Sequence, residues 1–157
     1  MCRYDPRVST SASIYILKRT DLPAIVDAAG SDRVWEAIHQ LGAELGEEFA
    51  WSGYVMLNVL DHLNAIGVVL ASPSLREAAK AVIADGGYTT LIDSTAQSLL
   101  DRLDPAAFGP GDLLDGPIEL GLDDEEAGYA ITDTLTLLHD AIASLTGDDV
   151  LLLHISS

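Results

Sequence analysis

Residues 123–155, DDEEAGYAITDTLTLLHDAIASLTGDDVLLLHI, set the fold class of this chain. Ala127, Ile131, Leu135, Leu138, Ile142 and Leu145 recur at intervals of three and four, the spacing that gathers side chains on one stripe of a helix. Asp123 or Asp124 supplies the cap, and Glu125 and Glu126 fall in the first turn, where a carboxylate meets the positive end of the helix dipole. Gly147 is expected to end the helix, Asp148 and Asp149 to turn the chain, and 150–155 (VLLLHI) to form a strand. A strand apolar on both faces needs cover on both faces, which predicts a central place in a sheet.

Outward from this unit, the β-rich run 88–92 (YTTLI) predicts a second strand, and Asp93 is placed to cap a helix over 94–103 that stops before Pro105. Between that helix and the last one, 104–122 is rich in proline, glycine and aspartate and reads as a long surface loop with a brief strand near Ile118. Toward the N-terminus, 13–18 (SIYILK) is a strand, and Thr20 or Asp21 caps a short helix with Pro23 in its first turn and Gly30 at its end. Ser31 then caps a helix whose buried stripe is Val34 or Trp35, Ile38, Leu41 or Gly42, and Leu45. Residues 47–53 (EEFAWSG) form a loop, and a third helix over 54–66 buries Val55, Val59, Leu63 and Ile66. The apolar run 68–71 fits either a short buried strand or an extension of that helix; a helix opened near Pro73 runs to Ala84, and 85–87 is a turn. The class is α+β and helix-rich: a small sheet of about four strands covered by five or six helices, with a flexible head at 1–12 and one globular domain over 13–157.

The bulk properties narrow the function classes. At 157 residues, 48% hydrophobic, with a mean hydropathy of +0.24, the chain has ample material for a core. Its longest apolar stretches, 66–71 and 150–153, fall far short of the roughly 20 residues of a membrane-spanning helix. The start MCRYDPRVSTSAS has no apolar run of the kind a secretory signal carries, and Cys2 is the single cysteine, so no intrachain disulfide forms and a cytoplasmic setting is expected. Net charge is −17; residues 1–80 hold 10 acids and 7 bases, whereas 81–157 hold 15 acids and one base, Arg102. A field of that sign repels nucleic acid and anionic membrane, and attracts basic proteins or cations.

Several residues invite chemistry. Removal of Met1 would expose Cys2 as an N-terminal nucleophile whose own amine serves as base, although the polar RYDPRVST that follows offers no rigid frame. Glu36 and His39, at i and i+3, share a helix face as in di-iron bundles, but such bundles need the pair twice. Asp112, Asp115, Asp123 and Asp124 could offer oxygens to an irregular calcium site. They do not fit the EF-hand frame: with Gly116 at its sixth position, Gly111, Leu113 and Leu122 would fall at ligand positions. No phosphate-binding glycine loop, nucleophile elbow or HExxH zinc motif occurs, and no cofactor or metal is expected.

The stretch 32–41, DRVWEAIHQL, resembles the Asp-Lys-x-Trp-x-x-Leu-His-x-Leu helix of the small YfbM-like bacterial domains, with Asp32, Trp35 and His39 matching and Arg33 and Ile38 as conservative variants. TTLIDSTAQSLLDRL and the closing helix and strand run parallel in order, so about half the chain is covered. The Leu-Thr-Gly that usually follows the histidine is missing, and 44–67 has no counterpart. The resemblance implies a mixed α/β fold and carries no assigned activity.

The leading expectation is therefore a non-enzymatic acidic binding protein, such as an immunity-type inhibitor, that meets a basic protein partner and binds neither nucleic acid nor membrane. Its candidate contact residues are Trp51, Tyr54, Asp112, Asp115, Asp123 and Asp124, with Phe49 as a further aromatic anchor. The alternatives are a small hydrolase built on Cys2 or on Glu36 and His39 beside Trp35, and a small-molecule sensor domain.

Overall fold

The computed structural model describes residues 12–29, 33–45, 51, 53–82, 88–104 and 121–155. Four strands, β1 (Ala12–Lys18), β2 (Ala43–Leu45), β3 (Tyr88–Asp93) and β4 (Asp149–Ile155), form one antiparallel sheet in the order β2-β1-β4-β3. β4 pairs with β1 from Ala12↔Ile155 to Lys18↔Asp149, and with β3 from Tyr88↔Ile155 to Asp93↔Val150. All seven of its residues are buried, as the apolar run 150–153 requires of a strand with neighbours on both sides and cover on both faces.

Alternation along the strands divides the core in two. Ile14, Leu151, Leu153, Ile155 and Ile92 face one layer, made of α3 (Gly53–Ala65), α5 (Asp124–Ala143) and the 3-10 segment Ser94–Arg102. Tyr15, Leu17, Val150, Leu152 and Leu91 face the other, made of α1 (Leu22–Ala29), α2 (Val34–Leu41) and α4 (Arg76–Val82). A smaller cluster, Val55, Leu122, Ala127 and Ala130 with Trp51 against it, ties the start of α5 to α3. The expected helix-rich α+β architecture is thus present, as helices on both faces of a four-stranded sheet. No helix of the described residues is long and apolar enough to cross a membrane.

Four local expectations are corrected. The stripe drawn through Leu45 assumed that the second helix continued, but α2 ends at Leu41, which is 39% exposed, and 43–45 pair with β1 as the edge strand β2. Gly42 makes the break: a Cβ there would lie 2.6 Å from Leu17 Cδ2 and 2.9 Å from the Ile38 carbonyl oxygen. Residues 68–71 are neither strand nor helix. Gly67, at φ +86°, closes α3, after which Val68 and Leu70 turn into the core and Val69 faces out. The segment after Asp93 winds as a 3-10 helix, with Asp93 as its cap, accepting from Thr95 N at 3.1 Å. The last helix stops at Ala143 rather than Gly147; Gly147, at φ +54°, instead shapes the turn into β4. Ser31, Ile118 and the 85–87 turn lie outside the described residues.

Candidate functional site

Three groupings of polar and aromatic side chains stand out. The first spans the sheet beneath α2. Trp35 and His39, one turn apart, both lie against β1: the Tyr15 ring is 6.3 Å from Trp35 and meets His39 edge-on at 5.5 Å. Trp35 also meets His154 of β4 edge-on at 4.6 Å. Thr89, directly across from His154 on β3, shares a hydrogen bond with its Nδ1 at 2.8 Å. Burial raises the Tyr15 phenol above its ordinary value, and Glu44, opposite on β2 and hydrogen-bonded to it, raises it further. The ring contacts account for Trp35 and His39 as packing residues. Glu36 is exposed on the same helix, and among the described residues no group of three or more histidines, cysteines or acids is gathered as a metal would need.

The second grouping is the outer face of α5. Glu125, Tyr129, Thr132, Asp133, Thr136 and Asp140 fall within about 100° of helix circumference, and every one is exposed. Tyr129 is 59% exposed, the largest value among the exposed large hydrophobic residues. Trp51 is half-buried beside this face and donates its indole N–H to Asp133 Oδ2 at 2.8 Å, while Tyr54 is half-buried at the start of α3. The structure therefore places Trp51 next to the acidic helix. Asp123 is engaged as the cap of α5, its Oδ1 accepting from Glu126 N at 2.8 Å, whereas Asp124 is exposed. Cys2, Phe49, Asp112 and Asp115 lie outside the described residues.

The third grouping surrounds Asp93, a buried carboxylate at the end of β3. Arg19 reaches it at 2.9 Å, Ser72 Oγ donates at 2.9 Å, and the Thr95 amide and hydroxyl both donate to its other oxygen. Burial pushes its pKa up, but the bonds from Thr95, Ser72 and Arg19 together outweigh that and hold it below the usual carboxylate range. A second pair lies at the same end of the sheet, at the start of β4, where Lys18 Nζ meets Asp149 Oδ1 at 2.5 Å. The Lys18 bond, together with the Thr146 amide and hydroxyl, lowers Asp149, and the same contact raises Lys18. These two pairs were not legible in the sequence, because they join positions 74 and 131 residues apart.

Beside Asp93, a cleft of about 200 Å³ opens between α4, the 69–73 segment and β3, with Arg76 and Lys80 on its rim. The i, i+4 spacing of these two cations was visible in the sequence, but not the sheet edge they face. Comparison of the chain with family models, curated proteins and solved structures finds no match, so its reading stands on its own residues.

Proposed function

We propose that this chain is a non-enzymatic acidic binding protein whose contact surface is the outer face of α5, and that its partner is a basic protein of the sort an immunity-type inhibitor neutralises. The observation that carries the reading is the exposed stripe of α5, with Glu125, Asp133 and Asp140 around the exposed Tyr129 and with no lysine or arginine anywhere in the helix. An aromatic flanked by like charges suits an interface in which the ring anchors and the charges steer. Pairing inside the fold sharpens the reading: Asp93 and Asp149 are neutralised by Arg19 and Lys18, while among the described residues the α5 acids have no cationic side chain within ion-pair distance except His139, beside Asp140. The resemblance to YfbM-like domains is compatible with this proposal, since Trp35 and His39 pack against the sheet. The hydrolase alternative depends on Cys2, outside the described residues, or on Glu36 and His39, around which no third histidine, cysteine or acid gathers among the described residues.

Affinity capture at low salt, repeated with the pair Glu125→Lys and Asp140→Lys, tests the proposal. The intact chain should retain a basic protein that elutes steeply with salt, and the double reversal should weaken retention at least about tenfold. Retention unchanged by the reversal would overturn the assignment of this face.

A further inference from the structure

The hydrogen-bonding parity of β3 shows which of its main-chain groups point away from the sheet. Ser72 N–H donates to the Leu91 carbonyl at 2.9 Å, and Ser72 belongs to the segment on the side of β3 opposite β4. In an antiparallel ladder a residue's N–H and C=O point to the same side, and the side alternates along the strand. Tyr88, Thr90 and Ile92 therefore bond to β4, while Thr89 and Leu91 direct their main-chain groups outward. The 69–72 segment is not itself a strand and meets the β3 main chain only through that bond, at Ser72. The cleft occupies the place where the next strand would run, and no described residue bonds to the outward main chain of Thr89 or to Leu91 N–H.

The walls of this cleft are small and apolar, with Ala71 and Ala79 among them, and Val69 is 54% exposed at its rim. Arg76 and Lys80, two of the eight cations of a chain with net charge −17, line it from α4. Among the described residues these two cations are not neutralised within the cleft: Asp93 is already matched by Arg19, and the acid paired with Lys80 is the outward Glu77, at 3.9 Å.

We propose that this cleft receives an extended acidic peptide segment of a partner protein, added to the sheet along β3. The edge presents Thr89 N–H, Thr89 C=O and Leu91 N–H in sequence. Another main chain satisfies all three, whereas a small carboxylate only accepts and leaves the Thr89 carbonyl facing an anion. Side chains of an added strand alternate between the faces of the sheet, so acidic residues at every second position would reach Arg76 and Lys80 on the α4 side. This surface lies on the opposite face of the sheet from α5, and the inference is independent of the function proposed above.

The test uses the full isotope-labelled chain with three probes: an end-blocked peptide of alternating valine and glutamate, the same peptide with lysine for glutamate, and glutarate. The glutamate peptide should bind saturably and slow hydrogen exchange at the Thr89 and Leu91 amides at least about tenfold. Arg76→Glu with Lys80→Glu, both at exposed positions, should weaken it at least about fivefold with an unchanged thermal midpoint, whereas the α5 reversal should leave it intact. Equal binding of the lysine peptide, or exchange at Thr89 and Leu91 unaltered by the glutamate peptide, would overturn the proposal. So would glutarate reproducing the same protection, since that outcome makes the cleft a small-anion site.

Discussion

Asp93 shows at the scale of one residue how a carboxylate can be buried in so small a protein. It caps the segment that follows it and also accepts from Ser72 and Arg19, so its charge is matched by four donors. Asp93→Asn should lower the unfolding free energy at pH 7 by about 2 kcal/mol, measured by urea titration, because Arg19 and one hydroxyl lose a charged acceptor. The sign of the pH dependence follows from the direction of the shift. A carboxyl held lower in the folded state contributes stability that is present above the unfolded value, about 3.9, and is lost as pH falls through the folded value. The difference between wild type and Asp93→Asn should therefore hold steady from pH 7 down to about 5 and shrink below about 4. A difference that instead grew on acidification would contradict the network. The capping role was legible in the sequence, from an aspartate placed before a helical run. The Arg19 and Ser72 partners were not, because local pattern carries no information on which distant segment packs beside a strand end.

At the scale of the element, Gly42 decides whether residues 42–45 continue a helix or begin a strand. Its φ of −106° and ψ of 162° suit any residue, so the requirement for glycine is one of space and not of backbone freedom. A methyl group would press on the end of Leu17, which can yield, and on the Ile38 carbonyl, which belongs to the helix backbone and yields less. Gly42→Ala should cost about 1–3 kcal/mol, read from the shift of the urea midpoint, with partial relief on trimming Leu17 to valine. The apolar spacing alone extended α2 to Leu45, since Leu41 and Leu45 fit the helical period. What overrode it was the unpaired edge of β1, to which Ala43–Leu45 offers three residues of ladder. The end of α5 repeats the lesson: Leu145 keeps the helical period and is buried, yet it reaches the core from beyond the last helical turn.

The whole molecule is organised around β4, whose side chains alternate between the two main core clusters. Leu151 and Leu152 are both fully buried, one in each cluster, and their backbones are adjacent. Leu151→Ala and Leu152→Ala should each cost about 2–5 kcal/mol. Circular dichroism and tryptophan fluorescence should still report one coincident transition in each variant, because a shared strand couples both layers. Two separated transitions would show that the layers melt independently. Charge at this scale also differs from charge along the chain. The sequence puts −14 of the net charge in residues 81–157, but folding brings Lys18 and Arg19 to Asp149 and Asp93, while Glu125, Asp133 and Asp140 of α5 stay exposed on one face.

The α+β class, the central strand over 150–155, the cap and buried stripe of α5, and the strong acidity were all legible in the sequence. All of these arise from local periodicity, propensity and composition, which act over a few residues. Tertiary structure alone decided that 43–45 is a strand and that Asp93 and Asp149 are paired within the fold. It also set the basic-rimmed cleft against the outer edge of β3. Each of these depends on which distant segments come into contact, and that is settled by burying apolar surface and satisfying main-chain hydrogen bonds over the entire chain at once.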